Sequence, residues 1–376
     1  MRDRSMERKN RSCLIAMRAW SCCGTGNLFT GGIRYVNIFK NTRACFTGVS
    51  CDVISTFSTQ SVPYFSENGN GTHQSARLRG ILPPLITPLI HRDKLDVGGL
   101  ERLVEHVVTG GVQGIFILGT SGEGPALSYQ LRREVIRRVC QQVRGRVPIL
   151  VGITDTALTE AVAMATFAAD AGANAVVTAG PFYLPAAQEE LLRYLQCLLR
   201  ESPLPLFIYN MPQCTKVHFE PETLRQLTQN ERVFGLKDSS GDLAYFDQLV
   251  ALKQERPDWS VFIGPEHLLA ESLQRGGDGG VNGGANFYPQ LFVQIFQATQ
   301  SGDLARVQVL QQKLLQLGQI YSVCRNASAV VKGMKCACSL LGLCNDALAE
   351  PFERCSEAER EKIRAILESV KPLAPV

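Results

Sequence analysis

From Gly80 onward the chain alternates two textures. Short apolar runs, most of them four to nine residues long, are separated by stretches whose apolar positions recur every three or four residues. Continuous apolar runs of this length predict strands buried on both faces, and the intervening periodicity predicts amphipathic helices. The pattern predicts strands over 81–89, 114–119, 147–153, 175–179, 204–210, 233–236, 261–264 and 280–283. Helices are predicted over 96–108, 129–143, 159–171, 188–200, 220–228, 243–254, 268–274 and 290–300. Eight strand–helix units within about 220 residues match a closed (β/α)₈ TIM barrel, with a doubly wound open sheet as the runner-up. Beyond this repeat only helical periodicity continues, over 304–317, 329–341 and 357–370, with a helix start signal at Cys355-Ser356-Glu357. The expected division is therefore a leader over 1–75, a barrel over 76–302 and a C-terminal helical extension over 303–376.

The first 75 residues sustain neither period. Residues 1–51 hold nine Lys/Arg against two acids, Asp3 and Glu7, with many Ser, Thr and Gly. An Arg-rich, Ser-rich, acid-poor start reads as a transit-like or disordered leader outside the fold. It supplies most of the formal net charge of +4. The remainder is near balance, so nothing points to nucleic acid, and no run reaches the roughly 20 apolar residues of a membrane span. The thirteen cysteines form no Cys-x-x-Cys pair, and Cys336-Ala-Cys338 is too closely spaced for a zinc knuckle. They read as buried free thiols in a reducing, cytoplasmic setting, or in an organelle if the leader is an import signal. His91, His106, His218 and His267 lack metal-ligand spacing and read as surface or loop residues. No metal or cofactor is expected.

In a barrel of this kind, reactive groups gather where strands run into loops. The second run ends in Gly119-Thr120-Ser121-Gly122-Glu123, whose backbone N–H groups and hydroxyls suit a small carboxylate, with Glu123 expected to cap the next turn. A plain Gly/Ser/Thr turn is the alternative. The fourth leads into Pro181-Phe182-Tyr183-Leu184-Pro185, where two prolines fix the aromatic pair; an aromatic plug competes with a functional Tyr183. The fifth ends Tyr209-Asn210-Met211-Pro212, and a tyrosine at a strand mouth relays protons when an amine or ketone lies near it. The sixth delivers Phe234-Gly235-Leu236-Lys237-Asp238-Ser239-Ser240. Withdrawal from water disfavours the ammonium form, so an amine there is a nucleophile able to form a Schiff base with a ketone. The competing reading is a lysine paired with Asp238. The glycines from Gly276 to Gly284 fit no nucleotide-binding pattern; Gly283 and its neighbours read as a last strand kept small for close approach of ligand or backbone.

In order and spacing, Gly119-Thr-Ser-Gly-Glu123, Pro181-Phe-Tyr183, Tyr209-Asn-x-Pro212 and Gly235-Leu-Lys-Asp-Ser-Ser240 resemble the dihydrodipicolinate synthase/N-acetylneuraminate lyase family, from about Gly80 to about Ser369. A weaker match is Asp278-Gly-Gly-Val…Ala285-Asn286. The resemblance implies a pyruvate-dependent class I aldolase on a (β/α)₈ barrel, usually a homotetramer built from tight dimers, acting on a small 2-oxo acid. It assigns Lys237 to the Schiff base, Tyr209 to the proton shuttle and Thr120 to the hydroxyl relay. Ser121, with Gly119 and Gly283, falls in the substrate-binding set, and Tyr183 matches a tyrosine lent across the dimer interface. One departure bears on substrate. Where synthases of the family carry an arginine for the carboxylate of the aldehyde, this chain has Cys214, and Lys216 is the nearest substitute cation. A thiol cannot replace a bidentate guanidinium. The reading is thus a lyase joining or splitting pyruvate and an aldehyde, as for a 2-keto-3-deoxy sugar acid or an N-acetylneuraminate-like substrate. The condensing dihydrodipicolinate synthase of lysine biosynthesis and a non-catalytic keto-acid-binding paralogue are the alternatives.

Overall fold

The structure, a computed structural model, describes residues 65–67, 73–75 and 77–370. The expected leader lies almost wholly outside the described residues, apart from a small antiparallel hairpin, Phe65–Glu67 with His73–Ser75. Eight parallel strands follow: β1 (Gly80–Ile81), β2 (Ile115–Ile117), β3 (Ile149–Gly152), β4 (Ala175–Thr178), β5 (Leu206–Asn210), β6 (Val233–Asp238), β7 (Ser260–Ile263) and β8 (Gly279–Gly280). Each strand pairs with its neighbour in sequence from β2 to β8, and β8 pairs with β1. A parallel bridge between Pro84 and Phe116 joins the continuation of β1 to β2 and closes the ring. The sheet is a TIM-barrel-like fold rather than an open doubly wound sheet.

Helices α1 (Val97–Thr109), α2 (Tyr129–Val143), α3 (Leu158–Asp170), α4 (Gln188–Glu201), α5 (Pro221–Thr228), α6 (Leu243–Ala251), α7 (Leu269–Gln274) and α8 (Pro289–Gln300) alternate with the strands. Several begin where side chains satisfy orphan backbone donors: Asp96 caps α1, Ser128 caps α2 and Asp242 caps α6. The predicted 81–89 strand is shorter than expected. Prolines at 83, 84 and 88 interrupt the ladder, and Leu89–His91 turns into a two-stranded hairpin with Lys94–Leu95. His106, expected on the surface or in a loop, lies in α1 with its ring nitrogen 3.2 Å from the Phe287 carbonyl, and burial lowers its pKa.

Two apolar cores result. Outward-facing strand residues such as Val151, Leu206, Ile208 and Leu236 pack under the helices, whereas Phe116, Leu150, Val177, Phe207, Tyr209, Phe234 and Phe262 fill the barrel. Strand β8 is glycine because its backbone neighbour demands it: a Cβ on Gly279 would stand 1.8 Å from the Gly80 carbonyl oxygen. The expectation of close approach thus holds for backbone, at Gly279–Gly280 rather than over 280–283.

Strand β6 departs from simple alternation. Val233 pairs with Leu206, but Gly235 pairs with the next residue, Phe207, so Phe234 is an inserted bulge residue. After the bulge Leu236 faces the helices and Lys237 lies level with Tyr209 on β5. Strict period two counted from the inward Phe234 would have put Leu236 inside and Lys237 outside. Gly235 is required at the bulge, since a Cβ there would meet the Ser260 carbonyl oxygen at 2.1 Å and the Phe207 ring at 2.9 Å.

Three more helices follow, α9 (Leu304–Gly318), α10 (Ala329–Leu340) and α11 (Glu357–Ser369). The segment between α10 and α11 forms an antiparallel bridge from Ala347 to Leu89. It thereby returns to the barrel end where the strands run into their loops. Among the described residues no helix is long and apolar enough to cross a membrane.

Candidate active site

A cavity of about 320 Å³ opens at the C-terminal ends of β2 to β5. Its inner wall holds Phe116, Gly119, Thr120 and Tyr209; Met211, Cys214 and Thr215 enter from the short helix after β5, Phe182 from the loop after β4, and Ala327, Ser328, Val331, Leu348 and Phe352 from the C-terminal segments. These walls are mainly apolar, which excludes water and strengthens polar interactions made inside.

Lys237 is 7% exposed, and its Nζ lies 4.2 Å from the centroid of the Tyr209 ring and 5.3 Å from that of Phe116. The proposed pairing with Asp238 is not made. Asp238 points to the other face of β6, where its carboxylate accepts from Asn210 Nδ2 at 2.7 Å, Ser240 N at 3.1 Å and Ser240 Oγ at 2.8 Å. Burial raises the Asp238 pKa, and the Asn210 and Ser240 hydrogen bonds oppose the rise. This network ties the mouth of β6 to that of β5 and leaves the lysine amine among aromatic faces.

Tyr209 is 5% exposed and packs edge-on against Phe116 with ring centroids 6.3 Å apart. Its hydroxyl lies 3.5 Å from Thr120 Oγ1, long for a hydroxyl pair, as relay contacts in unliganded sites often are. Thus Thr120, Tyr209 and Lys237 come together at one rim, with Gly119 beside them. A Cβ on Gly119 would press on the Phe116 ring at 2.6 Å. Ser121 is half-buried on the same loop. Gly283 is placed differently, in a 3₁₀ turn where a Cβ would meet Met334 Sδ at 2.6 Å, and it does not line the cavity. Tyr183 is 82% exposed and faces solvent in the single chain, while its neighbour Phe182 turns inward.

Two expectations are corrected. Glu123 stands before a 3₁₀ turn but makes no side-chain cap there. Its carboxylate instead accepts from Ala349 N at 2.8 Å and pairs with the buried ammonium of Lys335 on α10, which also donates to the Ala347 carbonyl at 2.7 Å. Burial lowers the Lys335 pKa, and the Glu123 carboxylate opposes that. Lys216 does not substitute for a missing cation: its ammonium donates to the Gln213 carbonyl at 3.0 Å, and it is not among the residues lining the cavity. Cys214 does line the cavity, where burial pushes its thiol up while Lys216 and Lys237 pull it down.

Sequence reasoning missed Glu266, just past β7. It accepts from Gly284 N at 2.8 Å and Tyr321 OH at 3.0 Å, and burial pushes its carboxyl up to about 7. A carboxylate immediately after a strand was the available signal. It also missed Lys335, for which the signal was one cation within the apolar run from Ala329 to Leu340.

Comparison with known proteins agrees with this geometry. The model of the dihydrodipicolinate synthetase family matches residues 77–370. A probable 2-dehydro-3-deoxy-D-pentonate aldolase, YjhH of Escherichia coli K12, is 33% identical over 296 residues, covering 77% of this chain and 97% of the relative. A 4-hydroxy-tetrahydrodipicolinate synthase of Methanoculleus marisnigri is 31% identical over 290 residues, with 77% and 98% covered. Among solved structures, dihydrodipicolinate synthase from Bacteroides thetaiotaomicron superposes with a TM-score of 0.76 at 47% identity, covering 78% of this chain and 99% of that one. YagE of Escherichia coli K12, a member of the dihydrodipicolinic acid synthase family solved in complex with pyruvate, gives 0.74 at 28% identity, with 78% and 98% covered. The chain therefore belongs to the dihydrodipicolinate synthetase family.

Proposed function

We propose that this protein is a lyase, a class I aldolase that forms or cleaves a carbon–carbon bond between pyruvate and an aldehyde through a Schiff base on Lys237. The observation that carries the reading is the register of β5 and β6, which sets the buried Lys237 amine beside the Tyr209 ring, itself part of the cavity wall. The amine adds to the C2 carbonyl of pyruvate, and the carbinolamine loses water to give a protonated imine. Loss of a C3 proton yields an enamine, which attacks the aldehyde; hydrolysis returns the free lysine. The Tyr209 hydroxyl, with Thr120, carries protons to and from the carbinolamine oxygen and the aldehyde oxygen. Ser121 and the backbone around Gly119 hold the carboxylate.

The aldehyde half meets Thr154, Thr215, Ser328 and Cys214 among apolar walls. Hydroxyls without a cation suit a neutral hydroxylated aldehyde, the fragment a 2-keto-3-deoxy sugar acid releases. Relatives named as pentonate and gluconate aldolases support this. The second reading, a 4-hydroxy-tetrahydrodipicolinate synthase, is supported by relatives of that name and weakened by Cys214. The exposed Tyr183 and Leu184 support assembly of tight dimers into a homotetramer. The eight described cysteines, all free thiols, suit a reducing compartment such as the cytoplasm.

Borohydride reduction in the presence of pyruvate is expected to add a pyruvate-sized mass to the peptide containing Lys237. A folded wild-type protein that gains no such mass across a range of pH is a binding protein instead. Pyruvate release from a panel of 2-oxo acids then separates the two enzymatic readings.

A further inference from the structure

Away from the cavity, two thiols and a carboxylate converge among the C-terminal helices. Cys324 lies just before α10, Cys336 within it, Cys355 in the turn before α11, and Glu359 in the first turn of α11. The Sγ atoms of Cys324 and Cys355 are 2.9 Å apart, and both lie within 4.8 Å of a Glu359 oxygen. Cys336 is buried on α10 nearby but stands outside this close group. The aldolase reaction uses none of these groups.

We propose that Cys324, Cys355 and Glu359 form a site for a soft divalent cation of the zinc class. Two sulfurs and one carboxylate oxygen supply three of the four tetrahedral positions such an ion takes, and a water takes the fourth. Tetrahedral coordination at about 2.3 Å per bond sets two sulfurs roughly 3.8 Å apart, so Cys324 and Cys355 need only spread by about an ångström. Binding releases the two thiol protons to solvent, leaving two thiolates and one carboxylate around a doubly charged cation. Lys332 and Arg325 act on Glu359, so the residual negative charge is met by neighbouring cations. The carboxylate is already oriented: Glu359 Oε2 accepts from Ser356 N at 2.8 Å and Ser356 Oγ at 2.9 Å, which leaves its other oxygen for the ion. A disulfide would use the two sulfurs and leave the oriented Glu359 carboxylate without a part.

The position gives the ion a consequence. Cys324 immediately precedes Ala327, Ser328 and Val331, and Cys355 follows Phe352, all of which line the cavity. An ion linking Cys324 to Cys355 therefore pins both outer walls of the cavity together.

The test uses the full chain expressed with zinc, dialysed and analysed for metal, and then loaded with cobalt(II). About one equivalent of zinc per chain and a thiolate-to-cobalt charge-transfer band with strong tetrahedral visible bands are expected. Cys355→Ser and Cys324→Ser should lose the metal, while Cys140→Ser, a thiol in the barrel layer, should keep it. If the cysteine variants do not fold, Glu359→Gln must still weaken cobalt binding by about tenfold or more, the scale for a lost ligand or its support. Substoichiometric metal in the wild type, a cobalt spectrum without thiolate character, equal loss in Cys140→Ser, or a Cys324–Cys355 disulfide by mass spectrometry would each overturn the proposal.

Discussion

The buried pair Lys335–Glu123 offers the sharpest test of how the C-terminal helices support the loop that carries Thr120. The Lys335 side chain is fully buried, and the Glu123 side chain is 5% exposed. Lys335→Met keeps the length and volume of the side chain, so no cavity is created, but it strips Glu123 of its counter-charge. Breaking a buried pair from one side typically costs about 3–5 kcal/mol, because the remaining charge has no solvent. Glu123→Gln keeps an acceptor for Ala349 N and removes the charge, leaving Lys335 with the Ala347 carbonyl alone; a similar loss is expected. The double variant buries no unpaired charge and should return to within about 1–2 kcal/mol of wild type. The expected coupling is then at least about 4 kcal/mol, well beyond additivity error. Urea unfolding of all four proteins at one protein concentration measures it, using midpoints with a common slope. Because Glu123 closes the loop that carries Thr120, the single variants should also slow pyruvate trapping at Lys237, and the double variant should recover part of that rate. Additive effects, or a Lys335→Met protein within about 1 kcal/mol of wild type, would refute the argument.

Tyr209→Phe should lower kcat by about a hundredfold or more while leaving the fold intact, the usual scale for a positioned acid–base group; steady-state kinetics with near-normal kcat would remove Tyr209 from the relay. Gly235→Ala forces a Cβ against the Ser260 carbonyl and should destabilise by about 1–3 kcal/mol and slow borohydride trapping, as followed by urea unfolding and mass spectrometry. Unchanged trapping would show that the bulge does not hold the lysine. Burial pushes the Glu266 carboxyl from its ordinary 4.5 up to about 7, so across that window the folded chain holds a proton that the unfolded chain has released. Stability should therefore fall as pH rises through the window, by about 3 kcal/mol at most, and Glu266→Gln should remove that dependence. Parallel pH profiles for the two proteins in urea unfolding would contradict it.

The strand–helix alternation was legible because parallel strands covered on both faces must be apolar throughout, whereas helices need only one apolar stripe. Adjacency of Tyr209 and Lys237 followed from their consecutive units. Their shared inward direction did not, because a bulge at Phe234 is a pairing event between β5 and β6 that no single strand records. The extent of β6 through Lys237 and Asp238 was likewise hidden: Asp238 is buried only because Asn210 on β5 and Ser240 just beyond β6 satisfy it. The partners of Glu123 were out of reach because Lys335 lies 212 positions away along the chain. Tyr183 was legible as a constrained aromatic, but prolines on either side of it do not specify the direction it faces.

The pairing register after the bulge in β6 has an evolutionary corollary. Deleting Phe234 would only remove the bulge and leave Lys237 level with Tyr209, whereas deleting Leu236 would preserve every chemically competent side chain discussed above yet carry the lysine level with Ile208, on the face toward the helical shell. Activity could therefore be extinguished by one indel with no reactive group replaced. Silent members of such a lineage would be diagnosed by counting residues between Gly235 and Lys237, rather than by checking that the lysine is still there.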